Sequence, residues 1–194
     1  MRLFVSVEMN QSVEDAAREV IDGLRARVTR LAPRARITWS APDRIHVTVR
    51  FIGDADDARA QAIRSALGPT IDAPVFDVTV EGVGAFPPKG PPRVFWAGLT
   101  DGRDGLLEVE RAVSQRLETL VPVEDRPYAP HLTLARVKEP AGLSRATLFE
   151  GLTTKPFGRV HVDAITLFES RLSPKGATHV PLQRSALRRR TQGP

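Results

Sequence analysis

The tetrapeptide His-apolar-Thr-apolar occurs twice in this chain, at residues 46–49 (HVTV) and at residues 131–134 (HLTL). Only four histidines are present, so half of them lie in the same pattern. Successive side chains of a β-strand point to opposite faces, so the histidine and threonine of each tetrapeptide share one face. Each tetrapeptide therefore predicts a strand that buries its apolar residues and presents an imidazole and a hydroxyl on the opposite face.

The composition predicts a folded protein without disulfides. Hydrophobic residues make up 41% of the 194 residues, which is enough for a core and argues against global disorder. The absence of cysteine excludes disulfides, thiol nucleophiles and cysteine metal ligands. No apolar run approaches the length of about 20 residues that a transmembrane helix needs. The short apolar stretch at residues 1–8 predicts a first strand rather than a signal peptide. We therefore expect a cytoplasmic protein with no membrane association.

Most of the net charge of +5 comes from the C-terminal arginines. These are Arg184, Arg188, Arg189 and Arg190. Residues 185–194 show no apolar periodicity and are predicted to form a disordered basic tail. Such a tail is either a solvated terminus without a role or a segment that holds RNA electrostatically.

The predicted elements follow the same order before and after about residue 90. Each half contains a strand, a helix, the tetrapeptide strand, a second helix and a closing strand. In the first half these lie at residues 2–7, 12–31, 46–49, 56–67 and 75–81, with Ser12 as the cap of the first helix. In the second half they lie at residues 93–99, 104–120, 131–134, 144–152 and 159–168, and a final strand follows at 178–182.

This repeated order predicts an α+β fold with a pseudo-twofold duplication. We expect two mainly antiparallel sheets flanked by helices, within a single bilobal domain of residues 1–184. The pseudo-repeats are residues 1–90 and 91–184, and the active cleft is expected between the lobes, where ligand sites are common.

Two imidazoles that face one cleft suit an in-line displacement at phosphorus. One ring can be neutral and the other protonated near pH 7, so one takes a proton from the nucleophile and the other gives a proton to the leaving oxygen. The residues alone do not order His46 and His131 in these roles. Thr48 and Thr133 share their faces and are predicted to donate to the non-bridging phosphate oxygens. Ordinary β-propensity is the alternative explanation for both threonines.

Three further residues are candidates for substrate binding. Arg50 lies four residues after His46, so alternation keeps it on the cleft face. Arg136 lies five residues after His131, so it reaches the cleft only if the strand bulges or ends. For both arginines, the alternative is an ordinary solvated side chain. Phe86 is predicted in an exposed loop, either stacked on a base or as an apolar plug between the lobes.

Several segments together resemble the 2H phosphoesterase superfamily, in particular the RNA 2′,3′-cyclic phosphodiesterases that are also called 2′-5′ RNA ligases. The resemblance covers about residues 2–184. It rests on both tetrapeptides and on the segments 2–5 (RLFV), 50–53 (RFIG), 82–87 (GVGAFP), 92–98 (PRVFWAG), 126–130 (RPYAP) and 167–170 (LFES). At His179 the family more often has an aromatic residue, usually tyrosine. The other remaining histidine, His161, is predicted on a solvated strand face.

The resemblance implies hydrolysis of a terminal 2′,3′-cyclic phosphate on RNA or an oligonucleotide to a 2′-phosphate. It implies His46 as general acid and His131 as general base, and it places Arg136 near the substrate. RNA end-joining through a 2′-5′ linkage and a non-catalytic RNA- or nucleotide-binding module are the alternatives. No metal-ligand spacing and no glycine-rich phosphate loop is visible, so we expect neither a metal nor another cofactor. A monomer without an obligate protein partner is expected.

Overall fold

The computed structural model describes residues 1–173 and 176–189. Within these ranges the chain forms ten strands and four α-helices. The strands are β1 (Arg2–Glu8), β2 (Arg36–Trp39), β3 (His46–Asp54), β4 (Ile71–Pro74), β5 (Phe76–Phe86), β6 (Val94–Leu99), β7 (Leu132–Glu139), β8 (Pro156–Val162), β9 (Ala164–Ser173) and β10 (Gly176–Arg188). The helices are α1 (Gln11–Leu31), α2 (Asp57–Leu67), α3 (Arg103–Arg116) and α4 (Arg145–Leu148), and a 3₁₀ turn at Pro42–Arg44 precedes β3.

The described strands form one hydrogen-bonded sheet in the order β4-β10-β9-β1-β3-β7-β6-β5-β8, with β2 paired to β7. Every pairing is antiparallel except that of β10 with β4. The predicted α+β class is confirmed, and the prediction of two separate sheets was wrong. The strands β3 and β7, which carry the two tetrapeptides, pair with each other through Val47 and Leu132. Beyond this point β2 takes the place of β3 beside β7, from Ala135 to Glu139.

The two halves of the sequence exchange strands within this sheet. Strand β5 of the first half pairs with β6 and β8 of the second half. Strand β9 of the second half pairs with β1, and β10 pairs with β9. Residues 1–90 and 91–184 therefore do not occupy separate regions of the sheet. The duplication itself stays a prediction.

The helices cover the apolar face of the sheet. The side chain of Asn10, not the predicted Ser12, caps α1 by accepting a hydrogen bond from the backbone N–H of Val13 at 3.1 Å. One face of α1 is buried and packs on β8, while α3 packs on β3 and β4. Both α3 and α4 end earlier than the sequence predicts. Among the described residues, no helix combines the length and the apolar composition that a membrane span requires.

The C-terminal strand is longer than predicted. Residues 185–188 belong to β10, so the prediction that a disordered tail begins at residue 185 was wrong. Ser185 and Leu187 are only 2% and 3% exposed, and the Ser185 hydroxyl donates to the carbonyl oxygen of Leu67. The sequence lacks a clear pattern here because the strand packs on α2 and β4, which lie far away in sequence. Residues 190–194 of the predicted tail lie outside the described residues.

Candidate active site

The two tetrapeptides lie side by side at the centre of the sheet. Directly opposite residues of an antiparallel pair point to the same face. The pairing of Val47 with Leu132 therefore sets the histidine of each tetrapeptide opposite the threonine of the other. Val47 and Leu132 are both 0% exposed, so they occupy the core face. The opposite face carries His46, Thr48, His131 and Thr133, all of them partly buried.

The same backbone contact orients both imidazoles. Nδ1 of His46 lies 2.9 Å from the carbonyl oxygen of Arg44, and Nδ1 of His131 lies 2.8 Å from that of Ala129. A carbonyl oxygen only accepts hydrogen bonds, so Nδ1 carries the hydrogen in both rings. In each ring, Nε2 is therefore the nitrogen that can take up or release a proton.

A β-bulge follows the threonine of β3. The register with β1 shifts between Thr48 and Arg50. Val49 and Arg50 consequently both turn to the buried face, where they are 2% and 5% exposed. Phe51 returns to the face of His46 and is 55% exposed. The prediction that Arg50 lies in the cleft was wrong, because it assumed strict alternation through a strand that bulges.

Strand β7 bulges at the equivalent place. Its register with β6 shifts between Thr133 and Ala135, and both Leu134 and Ala135 are 0% exposed. Arg136 lies five residues after His131, and the bulge brings it back to the face of His131, where its side chain is exposed. Its positive charge lowers the pKa of both tetrapeptide histidines, as expected for a cation on the same face of the sheet.

Arg50 instead joins β3 to α3 and to the segment that precedes β7. Its Nη1 lies 3.7 Å from a carboxylate oxygen of Glu110 on α3. Its Nη2 donates to the carbonyl oxygen of Pro122 at 2.6 Å. In the same segment, the Tyr128 hydroxyl donates to the carbonyl oxygen of Thr48 at 3.0 Å. These contacts hold the segment that precedes β7 against β3.

A cluster of rings surrounds His46. The ring of His46 stacks on Phe4 with centroids 4.9 Å apart. His179 of β10 meets the His46 ring edge-on at 5.0 Å and the Phe4 ring edge-on at 4.9 Å. Phe168 stacks on Phe4 at 5.5 Å. A cavity of about 260 Å³ opens beside the cluster, and His46, His179, Phe168 and Pro181 form part of its wall.

The surroundings of His131 are different. Phe86 meets its ring edge-on at 5.1 Å and packs on Trp96 at 5.4 Å. Trp96 lies across Gly84, where a Cβ atom would overlap the indole ring. Phe86 is partly buried at the end of β5 rather than in the predicted exposed loop. Arg145 holds this strand end by donating to backbone carbonyl oxygens of Ala85, Pro87, Pro88 and Gly90.

Burial keeps both imidazoles neutral at pH 7 in the free protein. It lowers the pKa of His46 to about 4, and the charges of His179 and Arg136 act in the same direction. The pKa of His131 is also lowered, by burial and then by Arg136. An anion bound between the rings would favour the protonated form of each and raise both pKa values.

A family model described as the 2′-5′ RNA ligase superfamily matches residues 13–173. The chain belongs to this superfamily. Curated relatives include the RNA 2′,3′-cyclic phosphodiesterase of Archaeoglobus fulgidus, which is 28% identical over 183 residues and is aligned over 94% of this chain and 98% of that protein. The RNA 2′,3′-cyclic phosphodiesterase of Thermotoga maritima is 30% identical over 178 residues, which cover 91% of this chain and 90% of that protein.

Solved structures share the fold of this superfamily member. A Thermus thermophilus protein matches with a TM-score of 0.76 and 27% identity over 98% of this chain and 100% of that one. The crystal structure of E. coli LigT complexed with 3′-AMP matches with a TM-score of 0.68 and 25% identity, over 96% and 97% of the two chains. The family resemblance seen in the sequence is thereby confirmed.

Several residues of the site were not among those predicted for this superfamily member. Phe4, Trp96 and Tyr128 were missed, and His179 was left outside the catalytic set. Phe4 and Trp96 each lie on a strand next to a tetrapeptide strand, on the same face as the threonine of that strand. The strand pairing and its register would have been enough to identify both residues. Tyr128 and His179 depend on packing between distant segments, for which the sequence carries no local signal. The predicted solvated position of His161 is confirmed, since its side chain is exposed and lies 2.8 Å from Asp77.

The polar side chains that face the site are imidazoles, hydroxyls and one guanidinium. Over residues 1–173 and 176–189, no three His, Asp or Glu side chains converge in an arrangement that could hold a metal ion. The metal independence expected for the superfamily member stays a prediction.

Proposed function

We propose that this protein hydrolyses the terminal 2′,3′-cyclic phosphate of RNA to a 2′-phosphate, with His46 as proton donor and His131 as proton acceptor. The observation that carries the proposal is the register of Val47 with Leu132, which gathers two imidazoles and two threonine hydroxyls on one face. Both imidazoles have Nδ1 occupied by a carbonyl oxygen and Nε2 left for proton transfer. The names of the curated relatives support the substrate class.

In the proposed reaction, water attacks phosphorus opposite the bond to O3′. Nε2 of His131 takes a proton from the water as the new P–O bond forms. The Nε2–H of His46 gives a proton to O3′ as the P–O3′ bond breaks, which leaves a 2′-phosphate and a 3′-hydroxyl. Each proton transfer contributes about 10²–10⁴-fold in typical enzymes. The order of donor and acceptor follows the family resemblance, because the two backbone contacts are equivalent.

Negative charge on the phosphate is stabilised by three side chains in this mechanism. The hydroxyls of Thr48 and Thr133 donate to the two non-bridging oxygens, where charge is held in the transition state. Arg136 adds a positive charge close to both histidines and is suited to contact a phosphate. A bound phosphodiester raises the pKa of His46 from about 4, and the donor role requires that rise.

The proposal extends to the context of the reaction. The substrate is an RNA or oligonucleotide, the protein acts as a monomer, and neither a metal ion nor a cofactor takes part. Phe86 borders the His131 side and is proposed to contact a base of the RNA. We also propose that the two halves arose by duplication, since each tetrapeptide strand has its bulge at the equivalent position.

A short RNA that ends in a 2′,3′-cyclic phosphate tests the function directly. The protein is incubated with this RNA, with and without EDTA, and the products are identified by mass spectrometry and by phosphatase mapping. We expect a 2′-phosphate in both samples. A 3′-phosphate product contradicts the proposed bond cleavage, and a requirement for added metal contradicts the two-histidine mechanism. RNA binding without turnover favours a non-catalytic binding module.

RNA end-joining is the second candidate, and the description of the matching family favours it. The same two imidazoles can act as acid and base in end-joining if the 5′-hydroxyl of a second RNA replaces water as nucleophile. The P–O3′ bond then breaks and a 2′-5′ linkage forms, without ATP. Adding an excess of RNA with a 5′-hydroxyl tests this reaction. A longer product resistant to 3′-5′-specific ribonucleases supports joining, and hydrolysis alone at every RNA concentration excludes it.

A further inference from the structure

A third imidazole lies in the site, within the ring cluster of His46, Phe4, His179 and Phe168, which we call the His46 side. His179 of β10 contacts the His46 ring edge-on at 5.0 Å, and both rings contact Phe4. Among the described aromatic contacts, the ring of His131 has Phe86 as its neighbour and no second imidazole. The mechanism proposed above uses two imidazoles and leaves this one without a role.

Arg44 holds both imidazoles of the His46 side in place. Its carbonyl oxygen accepts the hydrogen bond from Nδ1 of His46 at 2.9 Å. Its guanidinium donates to the carbonyl oxygen of Ala177 at 2.8 Å, two residues before His179 on β10. The edge-on contact between His46 and His179 is therefore built by the turn before β3 and by the pairing of β10, not by the two side chains alone.

We infer that His179 is a positioning residue for His46: its ring packs against the donor imidazole, and a proton on His179 opposes the proton that His46 must carry to protonate O3′. The inference rests on the proposed function for its catalytic consequence. The coupling between the two rings, however, can be measured in the free protein without any substrate.

The electrostatic argument follows from the distance. Two positive charges about 5 Å apart repel enough to shift a titration by roughly 0.6–2.4 pH units when the effective dielectric constant lies between about 80 and 20. Burial lowers the pKa of His179, and Arg44 adds to this effect. Burial lowers the pKa of His46 to about 4, and the charge of His179 acts on His46 in the same direction. As the pH falls, His179 therefore takes the first proton of the pair, and His46 titrates against that charge.

Other charged groups also face this pair of rings. They come from the turn before β3, from the end of β1, from the start of α1 and from β7, and are Asp43, Arg44, Glu8, Glu14 and Arg136. Glu8 accepts a hydrogen bond from Thr166 at 2.8 Å, and Asp43 lies 3.8 Å from Arg44. All of these groups remain when His179 is replaced, so a difference between the parent protein and a His179 variant reports the imidazole of His179 itself.

The first test is the pH dependence of kcat in His179→Phe, which keeps a ring at this position but cannot bind a proton. We expect the high-pH limb, where the donor loses its proton, to move up by about one pH unit. His179→Gln is a second neutral variant with the same expected shift, should phenylalanine disturb β10. His161→Phe is the matched control, because His161 is exposed and pairs with Asp77, and it should leave the profile unchanged.

The second test follows the histidine ring signals by NMR in the free protein. In His179→Phe we expect His46 to titrate at higher pH than in the parent protein, and in His161→Phe at the same pH. An unchanged His46 titration in both neutral His179 variants would overturn the inference, whether or not the protein cleaves RNA. A shifted titration without turnover would support the coupling and contradict the proposed function instead.

Discussion

The His46 side and the His131 side of the site have the same backbone design but different surroundings. In each, a carbonyl oxygen two residues earlier holds Nδ1, and a bulge follows the threonine. The ring of His46 packs against Phe4 and His179, whereas that of His131 packs against Phe86. Two equivalent backbone arrangements thus carry imidazoles in unlike environments, which is how a pair of similar groups can be separated into an acid and a base.

The residue after each bulge extends this comparison. On β3 this position is Phe51, which is 55% exposed, and on β7 it is Arg136. The two positions are equivalent in the strand but offer an apolar ring on one side and a positive charge on the other. The strand of His131 therefore carries an exposed positive charge after its bulge, whereas the strand of His46 carries an exposed ring there, and a cavity lies beside His46.

The largest effects are expected from His46→Ala and His131→Ala. Each should reduce kcat by about 10²-fold or more, because each removes one proton-transfer group. The pH dependence of the activity that remains distinguishes the role of one histidine from that of the other. His46→Ala should remove the high-pH limb, which reports the donor, and His131→Ala the low-pH limb, which reports the acceptor.

An exchange of the two limbs would show that the roles of donor and acceptor are reversed. Equal activity of either variant and the parent would exclude the two-histidine mechanism. His161→Ala is the matched control for loss of an imidazole, and we expect it to keep parental activity.

Thr48→Val and Thr133→Val compare the two hydroxyls. Valine keeps the branched shape and removes the donor, so kcat should fall by about 10²-fold with little change in KM. Since the register sets the two threonines in equivalent positions, we expect losses of similar size. Steady-state kinetics on the cyclic-phosphate RNA measure both. A tenfold difference between the two losses would mean that the phosphate lies closer to one side.

The stability of the protein should depend on pH through His46. Its pKa is about 4 in the folded protein against a usual 6.5, so the unfolded chain binds more protons between these values. The stabilisation is present above pH 6.5 and is lost as the pH falls towards 4, by up to about 3 kcal/mol. Urea unfolding at several pH values measures it, with His46→Gln as the comparison. The same slope in both proteins would place the pH dependence elsewhere, for example at His131.

The sequence predicted the parts of the site that depend on local pattern. Alternation within four residues placed Val47 and Leu132 in the core and their neighbours on the other face, and helical periodicity located α1 and α2 closely. Apart from the cap of α1 and the ends of α3 and α4, the main failures involve non-local pairing. A bulge is set by the register with the neighbouring strand, so it was not visible at Arg50. The exchange of strands between the halves and the contact of His179 with His46 depend in the same way on segments that are far apart in the chain.

Arg50 and Arg136 test this distinction between local pattern and observed register. Arg50→Met should lower the free energy of unfolding by roughly 2–3 kcal/mol, because it removes the buried guanidinium that contacts Glu110 and the Pro122 carbonyl oxygen. Arg136→Met should leave stability within about 0.5 kcal/mol, since the side chain is exposed, and should lower kcat/KM about tenfold by removing a phosphate contact. Thermal unfolding and steady-state kinetics on both variants give the four values.

If Arg50→Met is as stable as the parent but fails to bind RNA, strict alternation was the better guide and the bulge in β3 is absent in solution. If Arg136→Met loses stability instead of activity, its charge serves the strand rather than the substrate, and the two sides of the site differ less than their surroundings suggest.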